Sequence, residues 1–134
     1  MAAQLHLARA HKAAGGVALG LASTMAGRWR GEGDQHQGAR PYQEDSWALS
    51  TLGDGSLLAV VADGMGGHAG GAVASRTAVD AFVHAIEQGG ALPDGLAAAN
   101  AAIAKAAAGK AELTGMGATL VAVQVRGDEV RWIS

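Results

Sequence analysis

Apolar and polar positions along this chain change their spacing in a legible order: alternating, then continuous, then helical. Residues 44–52 (EDSWALSTL) set Trp47 and Leu49 among Ser46, Ala48 and Ser50, an alternation that suits a half-buried strand. Residues 57–62 (LLAVVA) are apolar throughout and carry the β-branched Val60 and Val61, which reads as a strand buried on both faces. Gly53-Asp54-Gly55 between them is a hairpin signal. Antiparallel pairing then brings Asp45, at the start of one strand, beside Asp63, at the end of the other.

Helical spacing takes over next. Across residues 71–88, Val73, Thr77, Ala78, Ala81, Phe82, Ala85 and Ile86 fall on one face. Gly89-Gly90 stops that helix, and Pro93-Asp94 announces another. Residues 96–110 are alanine-rich with Leu96, Asn100, Ile103 and Ala107 aligned, so two antiparallel helices are expected. Residues 115–117 read as a loop, 118–125 (ATLVAVQV) as a strand, Arg126-Gly127-Asp128 as a turn, and 129–133 as the start of one more strand. Upstream, residues 31–38 are polar and glycine-rich, a loop or ragged edge strand. No internal repeat stands out. The chain reaches Ser134 in mid-strand, which suggests part of a longer domain.

Composition narrows the class. With 49% hydrophobic and 16% charged residues over 134 positions, the chain is globular. Aromatic residues make up only 4%, so its core must be built from Ala, Val and Leu. The lack of cysteine excludes disulfides and thiolate metal sites and fits a reducing, cytoplasmic setting. A net charge of −2 argues against a nucleic-acid partner held by bulk charge, and no run is apolar enough to span a membrane. Residues 1–30 carry Arg9, Lys12, Arg28 and Arg30 and no acid. Their layout is signal-like, but Gly15, Gly16, Gly20, Ser23 and Thr24 interrupt the apolar run. Residues 1–28 therefore read as a disordered or mis-started extension, and 29–134 as the domain.

The chemistry concentrates where the buried strand ends. Asp63 closes it and is followed by Gly64, Gly66, Gly67 and Gly70, which let the backbone turn sharply and approach a ligand. A carboxylate at the end of such a strand is costly to desolvate without a cation or hydrogen bonds. Glu44, Asp45 and Arg40 lie one strand earlier, so three carboxylates and an arginine suggest cations meeting phosphate. The same loop fits the G-x-G-x-x-A form of a dinucleotide fingerprint. Against that reading, Asp63 would face a pyrophosphate with like charge, and Asp80 and Glu87 fall short of or only near the position of a ribose-binding acid. The loop also lacks the Gly-Lys-Ser/Thr of a phosphate-binding NTPase loop.

Arg40-x-x-x-Glu44-Asp45, followed by Asp63-Gly64-Met65-Gly66-Gly67-His68, resembles the metal-dependent protein phosphatases of type 2C, the PPM family. It is most similar to the bacterial branch, where Met follows the Asp-Gly pair. Gly115-Met116-Gly117-Ala118-Thr119-Leu120 matches the next landmark, a glycine-threonine strand start. The resemblance covers roughly residues 29–134. It implies an α+β fold: a β-sandwich flanked by antiparallel helix pairs in four layers, αββα, of which this chain would be the N-terminal half. It also implies hydrolysis of phosphoserine and phosphothreonine in phosphorylated proteins, with a cognate protein kinase as counterpart. Two divalent cations, Mn2+ or Mg2+, would activate the water. By the same resemblance Asp63 bridges the cations and Gly64 offers its carbonyl. Glu44 and Asp45 sit around the cluster directly or through water, and Arg40 holds the substrate phosphate.

Each residue has a plainer rival reading. Asp63 precedes a helix and could serve as its cap; Arg40 could be an ion-pair partner for the acids; Glu44 could be a solvated surface acid. His68 reads as a structural hydrogen bonder before a proton donor. His6, His11, His36 and His84 have no ligand spacing, and Trp29 and Trp47 read as packing. The family's later aspartates and remaining strands are missing. The chain is thus expected to be an incomplete fragment, inactive alone, weak in metal binding and poorly soluble. Leu57, Val60, Val121 and Val123 would be exposed, with an open edge at 131–134. The alternative function is a non-catalytic remnant or phosphoprotein-binding module of the same fold.

Overall fold

The computed structural model describes residues 4–9, 22–26, 29–35, 43–66 and 69–134. Strands β1 (Gln4–Arg9), β2 (Ala22–Ala26) and β3 (Trp29–Asp34) form an antiparallel sheet in the order β1-β3-β2. The hairpin read from sequence follows as β4 (Asp45–Thr51) and β5 (Leu57–Met65). Helices α1 (Ala69–Glu87) and α2 (Leu92–Ala107) come next, then a 3-10 turn at Ala111–Leu113. Strands β6 (Gly117–Arg126) and β7 (Glu129–Ile133) complete a second antiparallel sheet in the order β4-β5-β6-β7.

Successive residues of a strand face opposite ways, and β5 uses both faces. Leu58, Val60 and Ala62 join Ala78, Val79 and Phe82 of α1 and Ala99 of α2 in the main core. Phe82 is fully buried there, and removing such a side chain from water is worth about 1.5–3 kcal/mol. Leu57 turns the other way and packs with Ala26, Val125, Leu49 and Trp29 between the two sheets. The fold is therefore α+β, with two sheets face to face and a helix pair on one side. Of the four αββα layers expected, the described residues build three.

Four expectations are corrected. Residues 31–34 are not a loop or edge but part of the central strand of the smaller sheet. A polar, glycine-rich stretch suits a loop or ragged edge, yet here Gly31 and Gly33 make the strand fit. A Cβ on Gly33 would lie 2.7 Å from Trp47 Cε3, and one on Gly31 2.6 Å from Leu49 Cδ1. The two glycines are slots for side chains of the facing sheet. Second, α2 starts at Leu92 rather than residue 96, because Pro93 suits a first helical turn and the Asp94 carboxylate accepts the Ala91 N–H at 2.8 Å.

Third, α2 buries Leu92, Gly95 and Ala99, whereas Asn100 is exposed. Gly95 lies so close to Phe82 that a Cβ would stand 2.9 Å from its ring, and this contact turns the helix. Fourth, Leu57 and Val60 are both 0% exposed, since the smaller sheet and α1 cover them. Val121, at 49%, does lie open, along with Val130 and Trp132, and Val123 is half-buried. The sequence reading placed no element in residues 1–28, where the structure pairs β1 and β2 with β3.

Candidate metal centre

The β4–β5 register sets Asp45 directly opposite Asp63. The next pair outward is held by backbone, with the Gly64 amide donating to the Glu44 carbonyl at 3.0 Å. In an antiparallel ladder bonded and non-bonded pairs alternate, so Asp45 and Asp63 form a non-bonded pair, the kind with the closest side chains. Their Cβ atoms are on the order of 4.5–5.5 Å apart in such a pair. The backbone of Asp45 points outward instead. Its carbonyl accepts the Gln35 amide at 3.2 Å, and its N–H donates to Gln43 Oε1 at 3.4 Å. Asp45 is buried and Asp63 exposed. On the far side of Asp63 stands Thr119 of β6, completing a row of three oxygen-bearing side chains on one sheet face.

Glu44 is one residue from Asp45 and so turns to the opposite face, the helix side. Its carboxylate lies against the first turn of α1: a Cβ on Gly71 would be 2.7 Å from Glu44 Oε1. That first turn contains no acid of its own, and a negative charge is favourable at a helix N-terminus. Gly64 and Gly71 pack backbone to backbone, since a Cβ on Gly64 would run into the Gly71 carbonyl oxygen. Two residues beyond Glu44, Ser46 Oγ on β4 meets the fully buried Ser75 Oγ of α1 at 2.9 Å.

The structure thus brings Asp45, Asp63 and Gly64 together and places Glu44 beside them but facing the helix. Arg40 and His68 lie outside the described residues. His84 is exposed on α1, as read. Ser46, Ser75, Gln35 and Gln43 carry no motif that marks them as neighbours of the site. Only Thr119 sat inside a quoted landmark. Arg76 and Asp80 line a cleft of about 370 Å³ beside Asp45.

Two carboxylates opposed at close range repel each other, and a cation between them removes that repulsion. The donors available are all oxygen: two carboxylates, a threonine hydroxyl and a glycine carbonyl. This set fits a hard divalent ion such as Mn2+ or Mg2+ and not a thiophilic one. It is a partial set. Among the described residues no three His, Cys, Asp or Glu side chains converge to hold a metal by themselves, and such ions take about six oxygen ligands. Among the described residues no helix is long and apolar enough to cross a membrane.

Comparison with known proteins gives the family and the fold. The family model described as Protein phosphatase 2C matches residues 32–133. The serine/threonine protein phosphatase PstP of Mycobacterium tuberculosis is 43% identical over 82 residues, spanning 57% of this chain and 16% of PstP. The solved PstP catalytic domain in complex with two manganese ions superposes with a TM-score of 0.59 at 27% identity, over 96% of this chain and 46% of that one. Stp1 of Staphylococcus aureus shares the fold with a TM-score of 0.61 at 20% identity, over all of this chain and 53% of its own. The chain spans about half of each of these solved structures. With the model matching most of its length, the chain belongs to the protein phosphatase 2C family.

Proposed function

We propose that this chain provides the metal-holding face of a metal-dependent phosphatase acting on phosphoserine and phosphothreonine in proteins, in the cytoplasm and opposite a protein kinase. The observation that carries this reading is the close Asp45–Asp63 pair with Gly64 next to it. Asp63 and Asp45 are assigned as carboxylate ligands of Mn2+ or Mg2+, two ions per complete site, with the Gly64 carbonyl as a further donor. Divalent ions there supply a more acidic water and neutralise phosphate charge. Arg40 is assigned to the substrate phosphate, because a guanidinium makes two parallel charge-assisted bonds to it. The Asp45 backbone is held in place for this task by its outward bonds to the Gln35 and Gln43 side chains.

Titration of Mn2+ into the purified chain, followed by calorimetry, tests the site. Saturable binding that Asp63→Asn abolishes supports it, and a wild-type chain that binds no Mn2+ overturns it. Phosphate release from a phosphothreonine peptide by the complete protein, dependent on Mn2+ and stopped by chelator, tests the reaction.

One observation favours a second reading, a non-catalytic phosphoprotein-binding module: only two described carboxylates share the site face, with Glu44 on the other side. Phosphopeptide binding that Arg40→Ala weakens, without any phosphate release by the complete protein in saturating Mn2+, would select this alternative.

A further inference from the structure

Strand β4 leaves its outer edge open directly beside Asp45. Among the described residues β4 ends the larger sheet, with β5 as its one ladder partner. Ladder bonds alternate along an antiparallel pair, so Trp47 and Leu49, like Asp45, turn their backbone N–H and C=O groups away from β5. At Asp45 those groups are taken by the side chains of Gln35 and Gln43, which stand where a further strand would. Among the described residues nothing takes that place at Trp47 and Leu49. The strand also carries neither the lysine nor the proline that commonly blunts a free edge.

The cleft of about 370 Å³ lies along this edge, and its other wall is α1. Ala72, Arg76 and Asp80 line it from successive turns of that helix. Arg76 and Asp80 are exposed, and among the described residues neither enters a salt bridge. Gln43 lines the same cleft, and its Nε2 is buried without a hydrogen-bond partner. Such a donor is costly to leave unpaired, and an acceptor on a ligand would satisfy it. Helix and strand leave the site end side by side, since Gly71 lies against Glu44 and Ser75 against Ser46. Arg76 is therefore nearer the Asp45–Asp63 pair and Asp80 farther from it.

We infer that this groove docks the stretch of substrate protein flanking the phosphoresidue, extended along Trp47 and Leu49, with an acidic side chain on Arg76 and a basic one on Asp80. The inference rests on the phosphatase reading above, whose substrates are phosphorylated proteins. Main-chain bonds to a strand edge hold an extended peptide of any sequence, and side chains beside it select among sequences. The spacing suits this: Arg76 and Asp80 are about 6 Å apart along the helix, and alternate side chains of an extended chain about 6.5–7 Å. A peptide carbonyl supplies the acceptor for Gln43 Nε2. The preferred stretch thus carries an acid, then a base two residues farther from the phosphoresidue.

The test is peptide binding to the full chain in chelator, read by fluorescence anisotropy. The probe is a labelled, threonine-rich peptide without phosphate, carrying Glu and Lys two positions apart. It is made in both orders, and the tighter one is carried forward. Saturable binding is expected, weakened about three- to tenfold by Arg76→Glu or Asp80→Lys, the scale of an exposed ion pair turned repulsive. Changing the peptide's Glu to Lys should restore binding to Arg76→Glu, and changing its Lys to Glu should restore binding to Asp80→Lys. N-methylation of alternate peptide nitrogens checks the edge without altering the protein. One methylated set should abolish binding and the other leave it intact, since an extended chain turns alternate N–H groups to opposite sides. No saturable binding, indifference to the charge exchange, or the same response to both methylated sets overturns the inference. The metal-site reading is judged separately by the Mn2+ titration, because the peptide measurement involves neither metal nor phosphate.

Discussion

The hydroxyl of Ser46 on β4 meets the hydroxyl of Ser75 on α1 at 2.9 Å, one residue beyond Asp45 and on the opposite face of the sheet. Ser75 is completely buried and also approaches the Ala72 carbonyl at 3.4 Å. The pair pins the site strand to the helix at a second point, below the Glu44 contact. Ser46→Ala leaves Ser75 with only its long local bond, and such a loss costs about 1–3 kcal/mol. The double variant Ser46→Ala/Ser75→Ala should cost less than the sum of the singles, since neither hydroxyl is then left behind. Urea unfolding of the four species gives the coupling; strict additivity would mean that the two hydroxyls do not interact.

Charge opposition at Asp45 and Asp63 predicts opposite effects with and without metal. Replacing Asp63 by Asn removes a like-charge cross-strand pair and should raise metal-free stability by about 0.2–1 kcal/mol. In Mn2+ the ranking should reverse, because only the wild type gains stability from a bound ion. Thermal melts in chelator and in excess Mn2+ measure both. An Asn variant less stable than wild type in chelator would point to a capping role for Asp63 instead.

Two slots in β3 align the sheets. Gly33→Ala should destabilise by about 1–3 kcal/mol, the usual range for overpacking, because the rigid Trp47 ring fills its slot. Gly31→Ala should cost less, since the Leu49 side chain can change rotamer away from it. Equal, negligible effects in guanidinium unfolding would show that the sheets do not interlock there.

These slots also mark where sequence was a poor guide. The hairpin, both helices and β6 were legible because apolar spacing follows element geometry, and Asp45 and Asp63 were paired from the turn alone. Gly31 and Gly33 misled because glycine is ambiguous: it ends strands, but it also admits a neighbour's side chain, and only the neighbour reveals which. Asn100 fell on the predicted α2 face until the Gly95–Phe82 contact set the rotation. Glu44 entered the site through the family resemblance, and its contact with Gly71 on the α1 side carries no sequence signal. Ser46 and Ser75 were silent since a buried hydroxyl pair has no spacing rule.

Acid should loosen the β4–β5 turn. The Asp54 carboxyl titrates below its ordinary 3.8, first because the Ser56 hydroxyl donates to it and then because the Ser56 amide does. Partial desolvation opposes this, and Arg126, 3.6 Å away, assists. A depressed carboxyl stabilises the fold at pH above the unfolded value and loses that contribution as pH falls through the folded one. Asp54→Asn should therefore be less stable than wild type at pH 7, with the gap closing below about pH 4, the unfolded range of an aspartate. Urea midpoints across this range check it; a gap that widens in acid would be the wrong sign.

The Trp29 indole donates to the Gly127 carbonyl at 2.6 Å across a separation of 98 positions. That bond joins the first sheet to the β6–β7 turn and spans nearly everything between. A chain made from its N-terminus has β3 in hand long before residue 127 exists, so the smaller sheet cannot dock against its finished partner during most of synthesis. Loops that long close slowly compared with hairpins. The glycine slots of β3 can take Trp47 and Leu49 as soon as β4 is made, whereas the Trp29–Gly127 bond is the contact that has to wait for the β6–β7 turn.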